Sequence, residues 1–292
     1  MDLVREMNDS LRNRLRFVEI VIGWEGALGR KRVTDVFGIT PNYVTKDLRV
    51  YKKLYPGNIV YDPSTRSYRP ADGFTYKIAS GDPDEYLALL RAGAEGNRNV
   101  VASLVGNPEI CECLPQPKTP LDAATLRHVT RAIVSGSGLA ITYQSLTSSS
   151  PTSRDVWPHM LVFSGKRWYV RCWDGLRNEF RDFALSRITD VAGKAGRNPK
   201  SPNDDVDWVE REVMRIVPNP KLSATQANVI AREYGMMRVD GQWVWLPEVR
   251  RCLVRYVAER YRLIERGGPK AHPVILSNKD DLRRWLFPEE GP

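Results

Sequence analysis

The sequence predicts an α+β protein in three folded parts. A helical N-terminal segment is closed by a basic hairpin, a run of short strands forms a small, strongly bent antiparallel sheet or barrel, and a small α/β segment follows. Three observations predict this. Two short helical patterns meet across Gly38-Ile39-Thr40-Pro41. Between residues 138 and 195, aromatic and β-branched runs follow one another with only loops and turns between them. Further on, Ser223-Ala224-Thr225-Gln226 reads as a capping box and Asp240-Gly241 as a hairpin turn.

The chain has 292 residues, 42% hydrophobic and 27% charged, which is ordinary for folded protein and enough for two or three domains. Its formal charge is +9 and its pI about 9.4. That excess favours a polyanionic partner, nucleic acid first and an anionic membrane surface second. No apolar run approaches the ~20 residues of a membrane span. Met1-Asp2-Leu3-Val4-Arg5-Glu6 lacks an apolar signal region, so the expected location is the cytoplasm. Four cysteines in a chain this long do not make a disulfide framework. Cys111-x-Cys113 has neither zinc-knuckle spacing nor a matching second pair, so no metal and no cofactor is expected.

Ser10 to Trp24 carries Leu11, Leu15, Val18 and Ile22 near helical spacing, with Ser10 as N-cap and Gly23 as stop. Arg30 to Phe37 forms a second helix ending at Gly38, which supplies the positive φ of a tight interhelical turn. Thr40 caps a third helix, with Pro41 at its first position, where a missing N–H costs nothing. Two helices joined by so brief a glycine-containing turn make a helix-turn-helix. Val44, Leu48 and Tyr51 share the face that anchors the second of them. Thr40 at its start, and Asn42, Tyr43, Thr45, Lys46, Arg49 and Lys53 away from that face, are the candidates for reaching bases and phosphates from a major groove.

Ile59-Val60-Tyr61 and Arg66-Ser67-Tyr68-Arg69 flank the turn Asp62-Pro63-Ser64-Thr65, a hairpin where a winged helix-turn-helix carries its wing. Arg66 and Arg69 would reach backbone phosphates, which set register without reading sequence. A helical hairpin used for protein contacts is the plainer alternative; turn chemistry, basic outer face and wing together favour DNA. After the wing, Pro83 to Ala92 reads as a short helix with Tyr86, Leu87, Leu89 and Leu90 apolar. Val100 to Leu104 suits strand or helix, and Leu114 to Pro120 holds three prolines and reads as a connector. Leu121 to Ser135 reads as a helix with Leu126, Val129, Ile133 and Val134 inward, and its His128 as a surface or satisfied histidine rather than a catalytic one.

Strands are expected at Leu139 to Ser145, Val156 to Phe163, Arg167 to Trp173, Glu179 to Leu185 and Ser186 to Val191. Side chains alternate along a strand, so Trp168, Val170 and Cys172 share one face, suited to a core. Tyr169, Arg171 and Trp173 share the other. That face is either solvated surface with a stacked arginine or a platform for an anionic, ring-bearing ligand.

Here Trp168-Tyr169-Val170 resembles the name-giving triplet of a WYL domain, the ligand-sensing module of many bacterial transcription regulators, with Val170 where Leu is usual. Tyr143-x-Ser145, Pro158-His159 and Arg181-x-Phe183-x-Leu185-x-Arg187-Ile188 also fit its pattern. The resemblance implies an SH3-like β-barrel presenting polar and basic side chains to a ligand thought to be a nucleotide or nucleic acid. It carries over Ser145, His159, Tyr169, Arg171, Arg181 and Arg187 as ligand contacts. Arginine suits bidentate phosphate recognition and tyrosine suits stacking on a base. Arg187 could equally close an internal ion pair.

Ala195 to Asp207 is rich in Gly, Asn, Pro and Asp and reads as a linker. Val213 to Val217 reads as a strand, Ser223 to Tyr234 as a capped helix ended by Gly235, and Asp240-Gly241 as a hairpin between Met236–Val239 and Trp243–Leu246. Val249 to Ile264 reads as an amphipathic, basic helix and a second possible nucleic-acid surface. Trp243 and Trp245 suit an interface or a core about equally. These elements fit the small extension that often follows WYL domains, which the resemblance makes a dimerisation domain.

The expected domains are 1–72 (winged helix-turn-helix), 73–137 (helical linker), 138–195 (WYL) and 196–292 (C-terminal dimerisation). Their order is similar to the WYL-domain repressors found beside bacterial anti-phage defence operons, the BrxR/CapW group. The resemblance implies a homodimer on a palindromic operator of double-stranded DNA, with half-sites about 34 Å apart or a multiple of that. A nucleotide or oligonucleotide at the WYL site would weaken that grip by binding one conformation better than the other. An activator of the same architecture is the first alternative. A nucleic-acid-processing enzyme is the second, and against it there are no catalytic residues to name: no paired carboxylates at metal-ligand spacing, no HxH cluster, no P-loop and no GxSxG. Asp204-Asp205-x-Asp207 is the nearest candidate and lies in the expected linker.

Overall fold

The computed structural model describes residues 7–95, 110–115, 121–264, 268 and 271–287. The chain divides into two compact units, Met1–Pro117 and Lys118–Pro292. The Val100–Leu104 run and the proline-rich end of the expected connector lie outside the described residues.

In the first unit, α1 spans Asp9–Glu25, α2 Arg30–Phe37 and α3 Pro41–Leu54. The turn chemistry is as expected: Gly38 has φ 62° and Pro41 opens α3 behind Thr40. The bounds of α1 are not. Asn8 is its N-cap, accepting from the Leu11 amide at 2.8 Å, and the stop is Gly26 at φ 79°. Gly23 sits inside the helix because the Tyr76 ring occupies the place a Cβ would take. Strands β1 (Leu28–Gly29), β2 (Ile59–Asp62) and β3 (Ser67–Pro70) form a sheet in the order β1-β3-β2, the wing hairpin with a short strand added. Val44, Leu48 and Tyr51 bury the inner face of α3 against Leu15, Val18 and Ile22 of α1. Helix α4 (Pro83–Ala94) adds Tyr86 and Leu90 to Ile20, and Trp24 stacks on Tyr86 at 5.3 Å. Leu87, by contrast, is exposed.

A buried acid ties this unit together. Glu19 on α1 is fully buried and accepts from the Tyr51 hydroxyl at 2.6 Å and from the amides of Lys77, Ile78 and Ala79 at 2.8–3.1 Å. Asn58, before the wing, donates to the same hydroxyl and exchanges hydrogen bonds with the Thr75 backbone. Helix α1, the end of α3, the base of the β2–β3 hairpin and the 75–79 segment thus share one network. A buried carboxylate is tolerable only when its oxygens are saturated in this way.

In the second unit, α5 (Ala123–Ser135) packs on a five-stranded antiparallel sheet: β4 (Ser137–Tyr143), β5 (Thr152–Phe163), β6 (Trp168–Asp174), β7 (Glu179–Ala184) and β8 (Ile188–Arg197). The order is β7-β6-β5-β4-β8, and among the described residues no ladder joins β7 to β8. The sheet is therefore open by strand pairing, not the closed SH3-like barrel expected. Bulges interrupt the β4–β8 and β5–β6 pairings, and bulges bend strands. Helix α5 buries Thr125, Val129 and Ala132; Leu126 and Val134, expected inward, are exposed, Val134 at 84%, because only one stripe of the helix meets the sheet.

The expected linker is structured. Strand β8 runs to Arg197, a 3₁₀ turn covers Pro202–Asp204 behind a Ser201 capping box, and α6 covers Val206–Val209. Next come β9 (Arg211–Val213), β10 (Ile216–Pro218), α7 (Ala224–Glu233), β11 (Met237–Val239), β12 (Gln242–Val244), β13 (Glu248–Arg250), α8 (Val254–Arg260), β14 (Val274–Leu276) and α9 (Arg283–Leu286). The Ser223 capping box and the Asp240-Gly241 turn, at φ 50° and 78°, form as expected. Two expectations fail. Val213–Val217 is two short strands with different partners, β13 and β14. Val249–Ile264 opens as a strand and a 3₁₀ turn, and only Val254–Arg260 is α-helical. Met214, Ile216, Val254 and Leu282 centre this core, with Trp243 and Trp245 half-buried against it. No helix among the described residues is long and apolar enough to cross a membrane.

Candidate functional site

The outer face of α3 is the first site. Asn42, Tyr43, Lys46, Arg49 and Lys53 are exposed, Tyr43 at 56%, with the Lys46 ammonium 5.5 Å from the Tyr43 ring centre. Thr40 is exposed at the N-cap but its side chain makes no cap hydrogen bond. Thr45 is half-buried: its hydroxyl donates to the Pro41 carbonyl at 2.9 Å and accepts from Arg30 at 3.3 Å. Arg30, at the start of α2, is thereby placed beside the outer face of α3. Sequence reading missed it, although its place at the first position of the helix-turn-helix was visible. Arg14 of α1 fixes α3 from behind, gripping both oxygens of the buried Asp47 at 2.6 and 3.1 Å.

On the wing, Arg66 is exposed and holds φ 52°, a left-handed conformation rare for a residue with a Cβ. The loop beneath it is pinned by Asp62, which accepts from the Ser64 hydroxyl and amide and from the Thr65 amide. These hydrogen bonds, from the Ser64 hydroxyl above all, lower the Asp62 carboxyl to about 2. Arg69 pairs with Asp62 at 3.1 Å, so among the described residues Arg66 carries the uncommitted charge of the pair.

The second site is a cleft of about 1250 Å³ in the second unit, between the face of β6–β7 and the C-terminal elements. Tyr169, Arg171 and Arg187 line it together; Ser145, His159 and Arg181 do not. The Ser145 hydroxyl is bonded to Thr147, and Arg181 pairs with Glu179 at 2.6 Å. Arg187 makes no ion pair among the described residues, so the internal pair considered for it does not form. Tyr169 meets Tyr256 of α8 at 5.0 Å between ring centres, a wall made by two parts of the fold. Trp168 is not in the core. It is 45% exposed and packs on Phe163, since α5 lies over β4, β5 and β8 and leaves that end of β6 uncovered.

Arg171 lines the cleft but is buried and committed. Its guanidinium donates to Asp205 at 2.8 and 2.9 Å and to Asp182 at 3.3 Å. His159 meets the same Asp205 at 3.0 Å, and the Tyr256 hydroxyl donates to Asp182 at 3.0 Å. Burial pushes Asp205 up, but hydrogen bonds from Arg171 and His159 outweigh it and leave the carboxyl at about 2. Burial dominates at Asp182 and leaves it raised despite Arg171 and Tyr256. Burial would lower Arg171, but the two carboxylates hold it charged. Cys252 beside them is a thiol pushed up to about 12 by burial.

A bulge explains His159. Pro158 pairs with Cys172 and Met160 with Arg171, leaving His159 as the extra residue on β5. Pro cannot donate to a ladder, and bulges are where strands accept it. The bulge turns the His159 ring inward onto Asp205, edge-on to Phe180 and Trp208. Asp205, the member of the acidic run weighed as a metal candidate, is thus occupied. Among the described residues no group of three His, Cys, Asp or Glu side chains could hold a metal ion.

Residues 10–92 match the family described as BrxR transcriptional regulator winged helix-turn-helix domain. Residues 124–192 match the WYL domain, and residues 211–282 match the BrxR transcriptional regulator, C-terminal dimerization domain. The DNA-binding transcriptional repressor CapW of Escherichia coli (strain KTE188) is 32% identical over 276 residues, 94% of this chain and 91% of the relative. CapW of Pseudomonas aeruginosa is 29% identical over 273 residues, covering 92% of this chain and 90% of the relative. That of Stenotrophomonas maltophilia is 28% identical over 276 residues, covering 94% and 91%.

Proposed function

The chain belongs to the BrxR/CapW family of DNA-binding transcriptional repressors, and from that premise we propose how it works: a cytoplasmic homodimer holds a palindromic operator until a nucleotide or oligonucleotide enters the cleft of its second unit. The observation that carries the DNA half is the outer face of α3. Lys46, Arg49 and Lys53 stand exposed there and, among the described residues, none of them makes an ion pair, while Val44, Leu48 and Tyr51 fix the helix from within. Charges left free on a rigid helix are what a major groove and its phosphates require. With a two-fold relating two such helices, half-sites fall about 34 Å apart or a multiple of that.

The ligand half rests on Tyr169 and Arg187, which bring a ring and an uncommitted cation to one cleft. We give Arg171 a positioning part rather than first place among the contacts, because its guanidinium already donates to Asp205 and Asp182. We read the open sheet as a variant of the SH3-like barrel, and the regulated genes as a phage-defence operon by likeness to the family.

A gel-shift titration against the chain's own upstream intergenic DNA tests this, with excess unrelated duplex as competitor and salt varied. Tight, competitor-resistant binding with a steep salt slope is expected. Weak binding erased equally by any duplex overturns it.

A further inference from the structure

Three cations open α2, and each is used differently. Arg32 is spent on Glu25, to which it donates twice. Lys31 is exposed and, among the described residues, makes no ion pair. Arg30 is exposed and without an ion pair as well, but its Nη1 donates to the Thr45 hydroxyl of α3 at 3.3 Å. A cation in the first turn opposes the helix dipole, so Arg30 gives α2 no stability of its own.

Thr45 is itself held. Its hydroxyl donates to the Pro41 carbonyl, one turn earlier, at 2.9 Å. With its proton spent, the hydroxyl can only accept, so it suits a cation and has nothing to donate to a phosphate. Thr45 also stands three residues after Asn42 and four before Arg49, the spacing of neighbours on a helix surface. The Arg30 guanidinium is thereby set against the stripe that carries Asn42, Lys46 and Arg49. Its Nε and Nη2 have no partner among the described residues. Two parallel N–H donors are what a phosphate takes bidentately. In helix-turn-helix docking the helix before the recognition helix crosses the backbone, which brings that free edge to a phosphate rather than to a base.

We propose that Arg30 grips one backbone phosphate of the operator and that Thr45 is its positioning residue rather than a contact with DNA. This rests on α3 being the helix that enters the major groove. A phosphate contact carries no sequence information, but one held in a fixed place sets the register in which Asn42, Lys46 and Arg49 meet base edges. A loose arginine would add the same charge and serve any duplex equally. Thr45 thus contributes to the choice between sites without touching DNA, by orienting a charge that belongs to another helix.

The test is fluorescence-anisotropy titration of the full chain against its own upstream intergenic duplex and an unrelated duplex of equal length, with salt varied. Arg30→Ala should weaken binding to the upstream duplex roughly tenfold and make its log–log salt slope shallower by about 1, one phosphate fewer. Thr45→Val keeps the shape and removes the acceptor. It should lose about fivefold on the upstream duplex, in keeping with one hydrogen bond, and leave the salt slope and the unrelated duplex unchanged. Arg30→Lys, a charge without the fork, should behave like Thr45→Val. Thr45→Ser keeps the acceptor and should bind as the parent does. Arg30→Ala/Thr45→Val should be no weaker than Arg30→Ala alone, because Thr45 acts only through Arg30. Circular dichroism should match the parent in every variant. Losses that add in the double variant would make Thr45 a DNA contact in its own right and overturn the positioning role. An unchanged salt slope in Arg30→Ala overturns the phosphate grip while leaving α3 as the reading helix. A parent chain with no preference for the upstream duplex overturns that reading, and the proposal with it.

Discussion

Arg171 donates to both carboxylate oxygens of Asp205, at 2.8 and 2.9 Å, and both side chains are buried. The pair joins the interior strand β6 to the 3₁₀ turn and short helix that follow the sheet. Removing one partner strands a buried charge, which typically costs about 3–5 kcal/mol. Asp205→Ala should lower the urea midpoint of the second unit accordingly. Arg171→Met/Asp205→Leu should recover much of the loss, since an apolar pair of similar bulk leaves no charge behind. An Asp205→Ala variant as stable as the parent would remove the clamp. Tyr169→Ala and Arg187→Ala are therefore cleaner probes of ligand response than any change at Arg171.

The same pair sets an acid limit. Asp205 stands at about 2 in the folded chain against 3.8 without its surroundings. A carboxyl lowered by folding stabilises above its unfolded value and loses that contribution as pH falls toward the folded one. Stability should thus drop between about pH 3.8 and 2, and Asp205→Asn should flatten that limb. Asp182, raised by burial, has the opposite sign, so Asp182→Asn should steepen it. Unfolding midpoints followed through this acid range decide the matter.

On α3, Lys46→Ala/Arg49→Ala should weaken operator binding and leave the circular dichroism unchanged. If both residues meet phosphates, the log–log salt slope should become shallower by about 2. Undiminished affinity would mean that another face meets DNA.

Arg66 is open to an unusually clean substitution. Glycine adopts φ 52° without the roughly 1–2 kcal/mol that a Cβ costs there. Arg66→Gly should be as stable as the parent or slightly more so, yet bind DNA less tightly. Equal DNA affinity would leave the wing tip without a role in binding.

Glu19→Ala should be severe in the first unit. It leaves three amides and the Tyr51 hydroxyl proton without their acceptor at once, and a buried donor left unsatisfied costs about 1–3 kcal/mol. A fall of at least about 3 kcal/mol in unfolding free energy is expected, and a change below 1 kcal/mol on the order of a surface substitution would contradict the network.

What was legible in the sequence is what is local. Gly38, Thr40 and Pro41 announce the interhelical turn, and Ser223 and Asp240-Gly241 announce theirs, because each signal and its consequence lie within a few residues. The three cleft residues that do converge, Tyr169, Arg171 and Arg187, came from a strand pattern and a family likeness. What escaped is nonlocal. Nothing around Glu19 says that its amide partners lie 58 to 60 residues onward. Asp205 sits in a Gly, Asn, Pro and Asp run that resembles a linker, yet it anchors Arg171 from 34 residues away. Trp168 obeys strand alternation but lies beyond the cover of α5, and alternation cannot report where a neighbouring helix ends.

The extra residue in β5 also governs how this chain can change length. Because Pro158 already faces Cys172 and Met160 already faces Arg171, deleting His159 would leave the ladder in register on both sides and cost the ring's contacts with Asp205, Phe180 and Trp208. Deleting a residue from the regular stretch Leu161 to Phe163 would instead slip everything beyond it by one place and turn each of those side chains to the opposite face. Within β5, position 159 is thus where a natural deletion is best tolerated by the pairing.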